Sequence, residues 1–484
     1  MSSILDLEPK TVWKNFDSIC QIPHPSKKEE KIIAFMQNFA KENNLECITD
    51  EVRNVIIRKP ATPGMENRKG VVLQAHLDMV PQKNSDKAHD FEKDPIETII
   101  DNEWLRANGT TLGADNGIGV AAIMSVLESK TLVHGPIEAL LTIDEETGMT
   151  GAFGLKPNIL KGDILLNLDS EDEGELYVGC AGGVDASLTL DYTTEKTPDN
   201  TSAYTLSITG LKGGHSGMDI ILGRGNANKI IFRIFKAICK SGVRIADING
   251  GSLRNAIPRE AFATIVVPNQ NKEAVLKEIN TITGIVAAEL SLVEPDFKVT
   301  CEATETPANV IDSKATKNII DIVYACPNGV LRMSDSMAGL VETSSNLAIV
   351  KSDGKQIAIS CLIRSSVDTA KEDVTEAFAS LMALAGGKAE FAGGYPGWKP
   401  NMESPILKTM QEVYQKLYGK TPEIKAIHAG LECGLLGGVY PNWDMISFGP
   451  TIRNPHSPDE RVNIASVDKF WKYLVETLKS IPVK

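Results

Sequence analysis

With 484 residues the chain exceeds what one small core can organise, so two or more domains are expected. Its 42% hydrophobic and 23% charged content is that of an ordinary globular protein, and 63 Asp and Glu against 50 Lys and Arg give a net charge of -13. That balance repels phosphate backbones and anionic bilayers, and no apolar stretch approaches the roughly 18 to 20 residues of a membrane helix, so neither nucleic acid nor membrane is an expected partner.

The opening MSSILDLEPKTVWK has neither the basic nor the apolar region of a secretory signal. The eight cysteines are scattered without a CxxC pair, which reads as reduced thiols and a cytoplasmic location. Residues 28–43 carry Ile32, Ile33, Phe35, Met36 and Phe39 at helical spacing. Residues 71–75 form a β-branched-rich run read as a buried strand, residues 117–127 an apolar helix, and residues 137–143 and 164–168 two more strands. This alternation predicts an α/β domain with a mixed, mainly parallel sheet.

Composition turns polar near Asp191, which sets a boundary at 187/188. Beyond it a strand (204–209), a helix (226–240), two strands (255–267) and a helix (272–290) are followed by a second pass. That pass has a strand near 297–301, a helix (313–325), strands over 342–363 and a helix (373–384). The pattern predicts an α+β domain over 188–398 built of two βαββαβ-like repeats, about 203–293 and 296–393. Residues 399–484 then return to the first domain, with a helix at 405–418 and a strand at 443–447.

Chemistry-bearing residues cluster where these strands end. His76-Leu77-Asp78 closes the 71–75 strand; residues two apart on a strand face the same way, so the carboxylate can orient the imidazole. Gly113-Ala114-Asp115-Asn116-Gly117 leads into the apolar helix, and Asp115 reads either as a helix cap or as a ligand. Asp144-Glu145-Glu146 ends the next strand; three adjacent carboxylates either splay into water or face a cation. Asp169 ends a further strand, and two prolines hold His456 in a stiff turn. Carboxylates mixed with two imidazoles suit zinc, cobalt or manganese.

The motifs HLDMV, GADNGIG, DEETGMTG, NLDSED and NPHSPDE, in this order, resemble the co-catalytic zinc peptidases related to carboxypeptidase G. IHAGLECGLL, GGHSGMDI and GPTIRNPHSPDE resemble the bacterial branch that cleaves aminoacyl-histidine dipeptides, and the resemblance runs end to end. It implies a zinc-binding α/β catalytic domain interrupted by a lid domain. Two Zn²⁺ are implied, with Co²⁺ or Mn²⁺ as substitutes: Asp115 would bridge them, His76 and Asp169 would complete one site, and Glu146 and His456 the other. Glu145 would be the general base, Asp78 the partner of His76, and the Asp115–Asn116 peptide would be cis.

The resemblance also implies lid contacts to substrate: His215 as an oxyanion donor, Arg364 for the substrate carboxylate, and one of Asn255 and Asn346. Glu432 is the candidate for the substrate amino group. The implied activity is cytosolic hydrolysis of Xaa-His and related unblocked dipeptides, carnosine-like substrates included, by a homodimer. A related carboxypeptidase or N-acyl amino acid deacylase is the enzymatic alternative, and a non-catalytic peptide binder the other.

Overall fold

The computed structural model describes residues 3–484. The chain forms two compact units, one of Met1–Gly179, Pro400–Ala426 and Leu431–Lys484, the other of Cys180–Lys399 and Ile427–Gly430.

The first unit is built on an eight-stranded mixed sheet in the order Glu46–Thr49, Val55–Lys59, Ile137–Thr142, Val71–His76, Ile164–Asn167, Asp444–Ser447, Glu175–Cys180, Glu423–Ile427. The four strands from Ile137–Thr142 to Asp444–Ser447 run parallel. Val71–His76, Ile137–Thr142 and Ile164–Asn167 are buried at every position, which explains why apolar residues predominate in them, with Gln74, Glu138 and Asn167 as buried polar exceptions. The helix Ala114–Glu128 is buried from Asn116 to Leu127 and packs against both the Val71–His76 strand and the helix Lys10–Cys20. Strand Asp444–Ser447 lies between two strands, Ile164–Asn167 and Glu175–Cys180, from the first half of the chain, so an interior position of the sheet is filled from the far end of the sequence.

The parallel strands all deliver their carboxyl ends to one edge of the sheet, where open α/β sheets build their sites. A second, four-stranded sheet supports that edge. It pairs Thr98–Asp101 with Trp104–Ala107, then with Arg461–Asn463 and Ile452–Arg453. Residues 454–460 are therefore a hairpin loop, with Asn454 and His456 at positive φ. The Asp115–Asn116 peptide is cis, as the resemblance implied.

The second unit carries one antiparallel sheet ordered Lys298–Thr304, Thr201–Thr209, Ala261–Pro268, Arg244–Gly250, Val341–Ser352, Gln356–Ser365, Gly182–Asp191, Lys388–Tyr395, with Gly329–Met333 paired beside Val341–Ser352. Helices Ala227–Ile238, Lys272–Glu289, Ser313–Ala325 and Asp368–Ala385 bury Phe232, Phe235, Ile279, Ile319 and Phe378 in one core with Leu188, Leu206, Ile208, Ile265 and Ile359 of the strands.

Two details differ from the sequence reading. The strand Lys298–Thr304 pairs with Thr201–Thr209 and so closes the first β-α-β-β-α-β run rather than opening the second. The second run takes its first strand from Gly182–Asp191, which pairs with Gln356–Ser365 and Lys388–Tyr395, so one repeat is inserted inside the other. Position 187 lies in the middle of that strand. Val184, Ala186, Leu188 and Leu190 alternate inward, a period-2 pattern that precedes the polar stretch used to set the boundary.

Candidate metal centre

His76 ends its strand with the ring fully buried; its Nδ1 lies 3.0 Å from the Asp78 carbonyl oxygen and 3.4 Å from Asp78 Oδ1. The shorter contact is thus to the backbone rather than to the expected carboxylate. With Nδ1–H donated there, Nε2 carries the lone pair and is free to ligate. Asp78 itself accepts from the backbone N–H groups of Glu145 at 3.0 Å and Glu146 at 3.2 Å, and from Ser26 Oγ at 2.8 Å. It therefore holds the turn that presents both glutamates as well as neighbouring His76. Asp144, the third carboxylate of that run, accepts from Thr147 and Thr150 and braces the turn from the other side.

Asp115 does not cap its helix. Its Oδ1 lies 3.2 Å from His76 Nε2 and its Oδ2 lies 3.3 Å from His456 Nε2. His76 Nε2 is also 3.4 Å from Asp169 Oδ1, and His456 Nε2 is 2.9 Å from Glu146 Oε2. Two triads that could each hold a metal ion result, His76–Asp115–Asp169 and Asp115–Glu146–His456, and each offers three donor atoms within 4.8 Å of one another. They share only Asp115. Glu145 forms a third such group with His76 and Glu146.

Sites predicted on the second unit divide. Arg364 is 6% exposed; its Nε donates to Ser216 Oγ at 3.4 Å and a terminal nitrogen to Tyr395 at 3.1 Å. Among the described residues no carboxylate forms an ion pair with it, so its fork of donors is not spent on an internal salt bridge. His215 Nδ1 accepts from the N–H groups of Gly217 and Met218, which leaves Nε2 as the protonated nitrogen, and burial together with Arg364 lowers its pKa. His428 stands by the same groups: its Nε2 is 2.7 Å from Ser344 Oγ, and burial, Arg364 and His215 push its pKa down to about 3.

Asn255 is exposed on a loop, whereas Asn346 is fully buried and donates to the carbonyls of Arg254 and Ala256. Asn346 is thus a strut for the Asn255 loop, and the two asparagines are not equivalent. Glu432, in the first unit, is 1% exposed, with Oε2 held by Gln74 at 2.6 Å and Thr142 at 2.8 Å. Its Oε1 lacks a partner, so one oxygen of Glu432 is braced internally and the other is left without a donor.

The model of peptidase family M20/M25/M40 matches residues 72–480. The chain belongs to that family. The cytosol non-specific dipeptidase of Escherichia coli K12 is 50% identical, with both proteins covered at 100%. The crystal structure of aminoacylhistidine dipeptidase from Vibrio alginolyticus superposes with a TM-score of 0.97 at 51% identity, covering 100% of this chain and 99% of that one. Aminopeptidase PepT from Bacillus cereus, 16% identical over 98% and 99% of the two chains, has a TM-score of 0.56 and shares the fold alone. The predicted mixed α/β architecture is that of an M20 peptidase.

The donor set of this M20 chain fits divalent cations on its own evidence. Glu146 Oε1 and Asp169 Oδ1 are buried without a hydrogen-bond donor, a costly state that a cation relieves. Burial, with Asp115 and Glu146 nearby, raises Asp169 to about 6. Burial also drives Glu145 well above the usual carboxylate range, reinforced by Asp169, Glu432 and Glu146. Asp115 is buried as well, yet in the metal-free protein, where the raised His456 and His76 rings carry both protons, their N–H groups hold it below the usual range.

Two neighbours escaped the motif reading although they lie inside quoted motifs. Glu171, in NLDSED, is raised to about 8 by burial and by Asp115 and Asp169. Glu460, in NPHSPDE, is 2% exposed and accepts from the backbone of the Asp115 loop.

The metal-free protein should be pH-sensitive with a definite sign. Burial lifts Glu432 to about 8, and bonds to Asp115 and Glu146 lift His456 to about 11. With Asp169 they hold protons more tightly folded than unfolded, where the ordinary values are 4.5, 6.5 and 3.8. Their stabilising contribution is complete below those ordinary values and is lost as pH rises through the folded ones. Calorimetry of chelator-treated protein should therefore show Tm falling from about pH 5.5 to about pH 8.5. Added Zn²⁺ should raise Tm more at the alkaline end, because ligation needs deprotonated groups. A metal-free Tm that climbs with pH over this range would contradict the assignment.

Proposed function

We propose that the chain is a cytosolic metallodipeptidase that hydrolyses unblocked dipeptides, Xaa-His and carnosine-like β-alanyl-histidine among them, with two divalent cations, zinc by preference. The observation that carries the two-cation reading is the division of Asp115: one oxygen belongs to the His76–Asp169 triad and the other to the Glu146–His456 triad. The dipeptide specificity is supported by the names of the two full-length relatives, at 50% and 51% identity.

The ions, when bound, supply Lewis-acid polarisation of the scissile carbonyl and lower the pKa of water toward neutrality. The remaining steps belong to side chains. Glu145, whose carboxylate adjoins His76 and Glu146, accepts the proton of the attacking water and returns it to the leaving amine. Asp78 keeps Glu145 and Glu146 in register through their backbone N–H groups. His215, neutral with Nε2–H free, is suited to donate to the developing oxyanion, and Arg364 to fork onto the substrate carboxylate. Asn255 is the better placed of the two asparagines for a polar contact, being exposed.

Metal-loaded protein assayed on matched free-amine and N-acetylated dipeptides should cleave the free Xaa-His substrates and leave the blocked ones. Preferential cleavage of the acetylated set would replace this reading by a deacylase, and no turnover of any Xaa-His substrate would overturn it.

A further inference from the structure

Glu460 stands four residues beyond His456, on the same hairpin loop between the strands Ile452–Arg453 and Arg461–Asn463. Its carboxylate is 2% exposed. Among the described residues no Lys, Arg or His forms an ion pair with it, and its partners are backbone amides. Oε2 accepts from the N–H groups of Leu112 at 2.7 Å and Gly113 at 2.9 Å; Oε1 accepts from Ala114 at 2.8 Å and Asp115 at 3.1 Å. Four consecutive N–H groups converge on one carboxylate. Gly113 makes that curvature available with a φ of 70, and turned backbone of this kind forms an anion-binding nest.

We propose that Glu460 is a positioning residue for the metal centre: it fixes the backbone of Asp115 relative to His456, the two ligands on either side of one cation position. The bonds are numerous, and they join two segments of the His456 triad that come from opposite ends of the chain. Displacing this clamp would move the shared carboxylate of Asp115 and so disturb both triads. The inference rests on the reading of Asp115 and His456 as ligands.

Glu460→Gln conserves volume but replaces one acceptor with an NH₂ that must face two backbone donors. Metal-free wild type, E460Q, Glu460→Asp and His456→Ala are titrated with Zn²⁺ against a chromophoric chelator, and the Co²⁺-loaded forms are compared by their visible absorption. Wild type should bind two ions, and H456A should lose tight binding at one position. E460Q should bind about 10- to 100-fold more weakly than wild type, with an altered Co²⁺ spectrum. E460D, which retains both acceptors on a shorter arm, should lose less, and it carries the test alone if E460Q does not fold. Affinity and spectrum identical to wild type in the folded variants, with only Tm lowered, would make Glu460 a simple brace and overturn its role. Wild type that binds no ion, or H456A that binds as wild type does, would overturn the ligand reading instead.

Discussion

Glu145→Gln should lower kcat by about 10²- to 10⁴-fold while the bound metal remains, because general-base transfer is lost and no ligand is removed. Glu145 is held in place by its backbone N–H to Asp78, which the substitution leaves intact. Its carboxylate is pushed upward by burial, Asp169, Glu432 and Glu146, and a base must be ionised to work. Activity should therefore decline as pH falls, and bound cations should draw that limb toward lower pH by favouring the ionised form. Metal analysis alongside steady-state kinetics separates the two glutamates: Glu146→Gln removes a ligand and should release metal, whereas Glu145→Gln should not. Full activity in the Glu145 variant would dismiss the mechanism.

Asp115→Ala should be more damaging still, since both triads lose the same residue. Metal content should drop at both positions, and turnover should fall by about 10³-fold or more, as expected when several kcal/mol of metal-derived stabilisation disappears. His76 and His456 would also lose the acceptor that each now meets. Two ions retained per chain in this variant, measured by plasma mass spectrometry, would show that Asp115 is not shared.

The sequence made this edge of the first unit readable because its strands are short, buried and mainly apolar, and each gives way to polar residues at its carboxyl end. His76 and Asp169 follow such runs directly, and Glu146 stands in the acidic turn that follows another. Sheet order was not readable. Nothing local to residues 444–447 says that this strand enters between Ile164–Asn167 and Glu175–Cys180. The strand Gly182–Asp191 was obscured by its glycine start and by the polar stretch behind it, which looked like a boundary. Asn346 and Asn255 read alike because a side-chain amide gives no sign of whether it meets a carbonyl or solvent. Glu460 was passed over for a similar reason: its partners are backbone N–H groups, which every residue but proline possesses.

The interior place of the Asp444–Ser447 strand bears on how the enzyme is made. During synthesis on the ribosome, the strands Ile164–Asn167 and Glu175–Cys180 emerge long before the strand that separates them, so each waits with an unpaired edge. His456 leaves the ribosome later still, twelve positions or fewer behind that strand. A nascent or truncated chain thus has an unfinished sheet and, on the proposed assignment of His456, an incomplete ligand set together. Chains terminated before residue 444 should therefore be both inert and prone to aggregate, measured by dipeptide turnover and by light scattering.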